Sequence, residues 1–193
     1  MADALTTHPY AYKIAVLCDL RDSQGRLLLL HRLKEPNAGL YSPIGGKLDM
    51  ASGESPARCA QREIEEEAGV SIPLERLRLQ GIISERGYAN DPTGSARTNW
   101  LLFYYKVVGP VDFEAFEMRE GRLEWIEPER VESLPVPETD KRIIWPLVRD
   151  HEHGFFSVHI VCDGGGGEGS GGGGLTWRVE QSDGARTGAG RGA

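Results

Sequence analysis

Short apolar runs broken by turn residues occupy most of the first 160 positions, and they predict strands. Residues 12–20 (YKIAVLCDL) and 26–32 (RLLLLHR) read as two strands flanking the turn Arg21-Asp22-Ser23-Gln24-Gly25. Residues 41–47 (YSPIGGK) are short, extended and end on a glycine pair. Further strands are expected over 79–84, 99–108 (NWLLFYYKVV) and 122–126, with Gly87, Asn90, Asp91, Pro92 and Gly94 in the loop between the first two. The spacing turns helical after Ser55, a candidate N-cap followed by Pro56 at the first helical position and closed by Gly69. Ala57, Ala60, Ile64 and Ala68 form one apolar stripe of small and medium residues, suited to close packing on a sheet, with the acids off the stripe. A short helix is expected over 128–134, and a longer one over 139–150, with Thr139 as N-cap and Pro146 kinking or ending it. Strands alternating with helices predict a mixed sheet with helices on its faces.

Residues 155–162 (FFSVHIVC) and 175–181 (LTWRVEQ) also read as strands, separated by 164–174, which is almost pure glycine. A stretch of that composition cannot offset its own ordering entropy and is expected to be a flexible loop. The apolar–polar alternation of 175–181 favours a hairpin across the insert over a fold that ends near Cys162. The expected organisation is an N-terminal arm (1–11), one domain (12–163), the glycine-rich loop (164–174), a last strand of the same domain (175–181) and a disordered tail (182–193).

Composition narrows the function. A net charge of -7 argues against a nucleic-acid polymer as partner. It leaves room for a small phosphate substrate whose charge is carried by metal ions. Cys18, Cys59 and Cys162 are odd in number and lack a CxxC pair, against both a disulfide framework and a zinc site. No apolar run has the length of a membrane span, and no signal peptide is evident, so a soluble, cytoplasmic protein is expected.

The chemistry concentrates in Arg62-Glu63-Ile64-Glu65-Glu66-Glu67-Ala68-Gly69-Val70. Glu63, Glu66 and Glu67 are spaced by three and four, which puts them on one side of a helix. Like charges crowded in this way repel unless neutralised, and a hard divalent cation held by oxygen ligands would do so. An isolated string of this kind reads as a solvated face with ion pairs such as Arg62 to Glu66. The flanking residues alter that reading: Glu54 stands eight positions before Arg62, and Gly45-Gly46-Lys47 lies upstream.

At this point the chain resembles the Nudix hydrolases, whose box is Gly, five residues, Glu, seven residues, then Arg-Glu-apolar-x-Glu-Glu-x-Gly-apolar. Every fixed position from Glu54 onward matches. Seven residues rather than five separate Gly46 from Glu54, a two-residue insertion ahead of the N-cap, where loop length is cheap to change. The resemblance implies an α/β (α+β) fold, an α/β/α sandwich with a mixed sheet and the box helix on one face. It implies Mg²⁺, with Mn²⁺ as the alternative, on Glu63, Glu66 and Glu67, with the Gly46 carbonyl as a further ligand. Arg62 matches the arginine that pairs with and aims an acid, and Glu54 a position that supports the loop or reaches the metal through water. Glu63 is the candidate base for water.

A more distant ligand is expected from Glu114, Glu117 or Glu120. Glu117-Met118-Arg119 resembles the Glu-Met-Arg of the oxidised-purine nucleoside triphosphatases, so Glu117 is chosen. Trp145-Pro146-Leu147 and His153-Gly154-Phe155-Phe156 resemble the C-terminal half of that branch. By the same resemblance Glu138 and Asp140, after Pro137, are expected to read the purine edge, and Arg32 to approach the phosphates; Lys47 is a further substrate-binding candidate. Ser42 stands where the branch has Asn, so it offers fewer base-pair-like contacts. Phe103, Tyr104 and Tyr105 offer either a stacking face or core packing.

The reaction implied is hydrolysis of a nucleoside diphosphate linked to another group. The first choice is a purine nucleoside triphosphate, oxidised or not, giving the monophosphate and pyrophosphate. An ADP-ribose or dinucleotide-polyphosphate hydrolase is the alternative on the same scaffold. A non-catalytic Nudix-fold nucleotide sensor is the alternative of another class, and it would be expected to have lost box acids. Monomer and homodimer are both open.

Overall fold

The computed structural model describes residues 12–34, 37–89, 97–118, 120–163 and 174–185. The expected N-terminal arm, most of the glycine-rich loop and most of the tail lie outside the described residues. Two sheets form. The first is five-stranded and mixed, in the order β1 (Tyr12–Asp19), β5 (Arg97–Val107), β4 (Leu77–Ala89), β8 (Phe155–Asp163), β9 (Gly174–Asp183). β1 runs parallel to β5, and β4 parallel to β8, while the β5–β4 and β8–β9 pairs are antiparallel. The second sheet is antiparallel, in the order β3 (Tyr41–Ser42), β2 (Leu27–Arg32), β7 (Gly121–Ile126), β6 (Glu117–Met118). The single mixed sheet anticipated from the strand pattern is thus accompanied by a second one, because β2 pairs with β7 rather than with β1.

The run Leu27–Leu30 explains how two sheets share one interior. All four leucines are buried, Leu27 and Leu29 in one cluster and Leu28 and Leu30 in another. Successive side chains of a strand face opposite ways, so an unbroken apolar run marks a strand covered on both faces. The first cluster packs Ile83, Leu102, Phe156, Val158 and Ile160 of the mixed sheet against Ile143, Ile144, Trp145 and Val148. The second packs Val16, Cys18 and Tyr105 against Cys59, Ala60, Ile64 and Ala68 of helix α1 (Pro56–Ala68).

α1 is delimited as its punctuation predicts. Ser55 is extended and its hydroxyl accepts from the Arg58 N–H, while Gly69 adopts φ 67° and its N–H bonds the Glu65 carbonyl. Ala60, Ile64 and Ala68 of the apolar stripe are buried and Ala57 half-buried, but Glu63 and Glu67 are buried too, so two of the acids share the covered face rather than lying wholly off it.

Three elements depart from the sequence expectation. Gly87, expected in a loop, lies within β4 at φ 74°, beside a register shift between Glu85 and Tyr88, so the strand continues through a bulge. The expected helix at 128–134 is a 3₁₀ turn, Pro128–Ser133. Pro146 does not end the helix it interrupts. Lacking an N–H, it cannot bond the carbonyl four residues back, and the preceding turn widens into a π segment, Asp140–Ile144, whose closing bond runs from Trp145 N–H to Asp140 O. Helix α2 (Trp145–Asp150) follows. No helix among the described residues is long and apolar enough to cross a membrane.

Candidate active site

A cavity of about 520 Å³ opens between the mixed sheet, the glycine turn and the acidic face of α1. Its wall holds Gly45, Gly46, Lys47, Glu63 and Glu67 at one part, and Trp100, Glu85, Thr139 and Asp140 at another. Arg32, Ser42 and Glu120 also line it.

The glycine turn is laid along β1. Val16 N–H donates to Gly46 O and Cys18 N–H to Ile44 O, each at 2.9 Å. The absence of side chains permits two close approaches. A Cβ on Gly45 would lie 2.1 Å from the Val16 carbonyl oxygen, and one on Gly46 would lie 2.3 Å from Glu63 Oε1. Glu67 accepts from the Gly45 N–H at 3.0 Å, so the turn and the helix are tied together through this carboxylate.

Arg62 organises the acids beside it. Its Nε and Nη2 grip both oxygens of Glu54 at 2.9 and 3.0 Å, and Nη1 donates to Glu63 Oε1 at 2.6 Å and Glu66 Oε2 at 3.1 Å. Glu54 is thereby held down to a pKa of about 2, chiefly by its hydrogen bond from Arg62. The two-residue insertion ahead of it is absorbed locally. Asp49 N–H donates to Glu54 Oε2, the Glu54 N–H returns to Asp49 O, and Asp49 Oδ1 accepts from the Ala51 and Ser52 N–H groups.

Burial drives the helix acids the other way. Glu63 is raised by desolvation despite its contact with Arg62. Glu67 is pushed up to about 7, first by burial and then by the charges of Glu63 and Glu120, against the lowering effect of the Gly45 N–H. Among the described residues no three His, Cys, Asp or Glu side chains converge on one point to hold a metal ion. Glu63 and Glu66 clasp Arg62 instead. The donor set still suits a hard divalent cation: it is all oxygen, and its carboxylates raise one another's pKa, an energetic conflict that a cation removes.

The remaining sequence candidates separate by position. Arg32 lies 4.0 Å from Glu120, and both line the cavity. Glu117, the expected distant ligand, is an exposed residue of β6 outside the cavity lining, whereas Glu120, its rejected neighbour, faces Glu67. Glu138 is exposed and pairs with Arg142 at 3.5 Å, so of the two acids after Pro137 only Asp140 lines the cavity. Phe103, Tyr104 and Tyr105 belong to the interior clusters.

Sequence reading missed Glu85 and Trp100. Glu85 is 3% exposed, and its Oε1 has no hydrogen-bond partner. The one signal in the sequence is an acid that follows the apolar pair Ile82-Ile83 within two residues, in a strand that also carries Arg78, Gln80 and Arg86. Burial, and for Asp140 also the charge of Glu85, lifts both carboxyls above the ordinary range.

Comparison with known proteins bears on the family and the fold. A match to the Nudix domain spans residues 11–147. The MutT protein of Bacillus halodurans has a similar structure, with a TM-score of 0.64 and 25% identity over 87% of this chain and 97% of that one. MutT of Methanosarcina mazei Go1 (TM-score 0.55, 23% identity, 72% of this chain and 95% of that one) shares the fold. So does the Nudix domain of Shewanella oneidensis NrtR, solved with ADP ribose (0.53, 18%, 72% and 87%). Among curated proteins, an octanoyltransferase of Myxococcus xanthus is 43% identical over 57 residues, 30% of this chain, and the chain spans only 15% of that relative's length. The Nudix match takes in the glycine turn, the acidic helix and the strands that wall the cavity, and the chain belongs to the Nudix hydrolase family.

Proposed function

We propose that the chain hydrolyses a purine nucleoside triphosphate, oxidised or not, to the monophosphate and pyrophosphate. One observation carries this reading: the cavity has two chemically different ends. Carboxylates, Arg32 and Lys47 line the first, suited to a metal-bound polyphosphate, and Trp100 with the carboxyls of Glu85 and Asp140 lines the second, suited to a flat heterocycle. All the box acids are present, which favours an enzyme over a nucleotide sensor.

Nudix hydrolases typically use divalent metals, and Mg²⁺ is the ion proposed here, with Mn²⁺ as substitute. Glu63, Glu67, the Gly46 carbonyl and Glu120 would hold it, with Glu66 at the rim. When bound, such a cation neutralises charge developing on the transferred phosphoryl group and acidifies a water. Glu63 has Oε1 committed to Arg62, which leaves Oε2 to accept the proton of the attacking water. Arg62 fixes that carboxylate, itself braced by Glu54. Arg32 and Lys47 meet the negative charge of the outer phosphates.

The test is a kcat/KM comparison, with Mg²⁺, of GTP, 8-oxo-dGTP, ATP, ADP-ribose and diadenosine polyphosphates, with product analysis. Monophosphate and pyrophosphate from a purine triphosphate are expected as the best reaction. Preference for ADP-ribose, or release of orthophosphate alone, would refute the reading. Glu67→Gln should bind nucleotide yet lose most turnover.

A further inference from the structure

We propose that Glu85 and Asp140 together form a base-reading site at the inner end of the cavity, with Glu85 taking the N–H donors of a guanine-type edge. The inference rests on the proposed function for its substrate class and adds the residue that selects within it.

Glu85 sits on β4, opposite Trp100 of β5 and beside Ile160 of β8. The same row of the sheet continues to Lys13, whose ammonium lies 5.4 Å from the Trp100 ring, and to Trp177, covered by Arg142 at 5.9 Å. The floor of this end is therefore a half-buried aromatic ring next to a buried carboxyl. Asp140, the first residue of the π segment, is enclosed by protein but opens into the cavity, and Thr139 Oγ1 lies 3.5 Å from its Oδ1.

The Thr139 hydroxyl is hydrogen-bonded to both carboxyls but has a single proton. It cannot satisfy two carboxylates, and Glu85 Oε1 is left without a partner. Among the described residues no cation is among the groups that shift either acid, which are Thr139 for Glu85, and Glu85 and Thr139 for Asp140. Two carboxyls in that setting cannot both ionise, so the pair holds one proton. The arrangement presents one carboxylate acceptor and one O–H donor, and geometry assigns the acceptor to Glu85, whose Oε1 has no partner, while Asp140 Oδ1 already takes the Thr139 hydroxyl at 3.5 Å and its other oxygen is left to carry the proton. A guanine edge is the complement: N1–H and the amino group donate to Glu85, and O6 accepts from Asp140. A phosphate or carboxylate terminus would be repelled, which fixes the direction of the nucleotide in the cavity.

The experiment compares wild type, Glu85→Gln and Glu85→Leu in two measurements. The first is kcat and KM for GTP, ITP and ATP with Mg²⁺. ITP lacks the amino donor, and ATP inverts the edge. Wild type should prefer GTP over ITP by about 10-fold or more, since a buried acceptor left unpaired is costly. Glu85→Gln, which replaces one acceptor oxygen by a donor, should erase that preference through KM, with kcat within about threefold and an unchanged thermal midpoint. An unchanged GTP-to-ITP ratio in Glu85→Gln would overturn the proposal, as would equal use of ATP and GTP by wild type. The second measurement is calorimetric binding of GMP, which needs no hydrolysis. Wild type should bind GMP at least about 10-fold more tightly than Glu85→Gln or Glu85→Leu. Absent or Glu85-independent GMP binding would also overturn the proposal. Glu85-dependent GMP binding without triphosphate hydrolysis would support the base site while refuting the proposed function.

Discussion

Gly45 and Gly46 are adjacent, yet alanine should act differently at each. Gly46 has no positive φ, so an alanine backbone is admissible there. Its Cβ would stand 2.3 Å from Glu63 Oε1, 2.4 Å from Cδ and 2.6 Å from Oε2. Ordinary contact needs the carboxylate to retreat by about 1 Å, and a displacement of that size at a reacting group costs about 100-fold. The obstructing atoms end a flexible side chain, so the fold should lose no more than about 1 kcal/mol. Gly45 is the reverse case. At φ 148° its Cβ would meet Val16 O at 2.1 Å and Leu17 Cα at 3.2 Å, and these backbone atoms move only if the turn leaves β1. Strain and overpacking together cost about 2–4 kcal/mol. For a chain of this size that lowers the thermal midpoint by roughly 10 °C. Thermal unfolding and Mg²⁺-dependent kcat/KM on the two variants separate the cases. A folded Gly46→Ala variant within threefold of wild-type kcat/KM would refute the assignment of Glu63; a Gly46→Ala variant as unstable as Gly45→Ala would refute the packing argument.

Three further outcomes follow from the site and the core. Glu120→Gln should lower kcat/KM by about 10-fold or more and raise the Mg²⁺ requirement. Glu117→Gln should stay near wild type, and the opposite ranking in a Mg²⁺ titration would restore Glu117 as the ligand. Glu54 has a folded pKa of about 2, depressed from 4.5 by Arg62, so its stabilising contribution is complete above pH 4.5 and lost as the pH falls through about 2. Urea titrations should accordingly show wild type more stable than Arg62→Met at pH 5, with the gap closing toward pH 2; a gap independent of pH would contradict the pairing. Ile64, fully buried between α1 and the sheets, should cost about 2–5 kcal/mol on truncation to alanine, read from the urea midpoint, and a loss under about 1 kcal/mol would show the helix is not anchored there.

The legible parts of the chain are those whose physics is local. Ser55, Pro56 and Gly69 bound α1 because capping and the left-handed conformation act within a few residues. The spacing of Glu63, Glu66 and Glu67 is a property of the helix alone, and so is the reach of Arg62 to Glu66, one turn away. The Arg62–Glu54 clasp spans the inserted loop, which folds on itself through Asp49 and leaves the grip intact. Less was legible where an outcome depended on which strand pairs with which. The Leu27–Leu30 run marks a strand but does not say that β2 leaves β1 for β7, since that choice rests on covering both faces at once. Gly87 reads as a turn residue until β5 and β8 hold β4 on either side of it, and there it becomes a bulge.

The sequence by itself determined the acidic helix, its caps and the oxygen-rich chemistry it offers, because spacing and capping are fixed by covalent neighbours. Tertiary structure decided which acids share a cavity with that helix. It put Glu120 and Asp140 in the cavity lining and left Glu117 and Glu138 outside it, and it brought Glu85 of β4 to Asp140 of a π turn. The physical reason is that desolvation and charge coupling depend on what surrounds a group in space. Glu54 and Glu67 are chemically identical residues thirteen positions apart, and one is held near 2 by a guanidinium while the other is pushed to about 7 by burial.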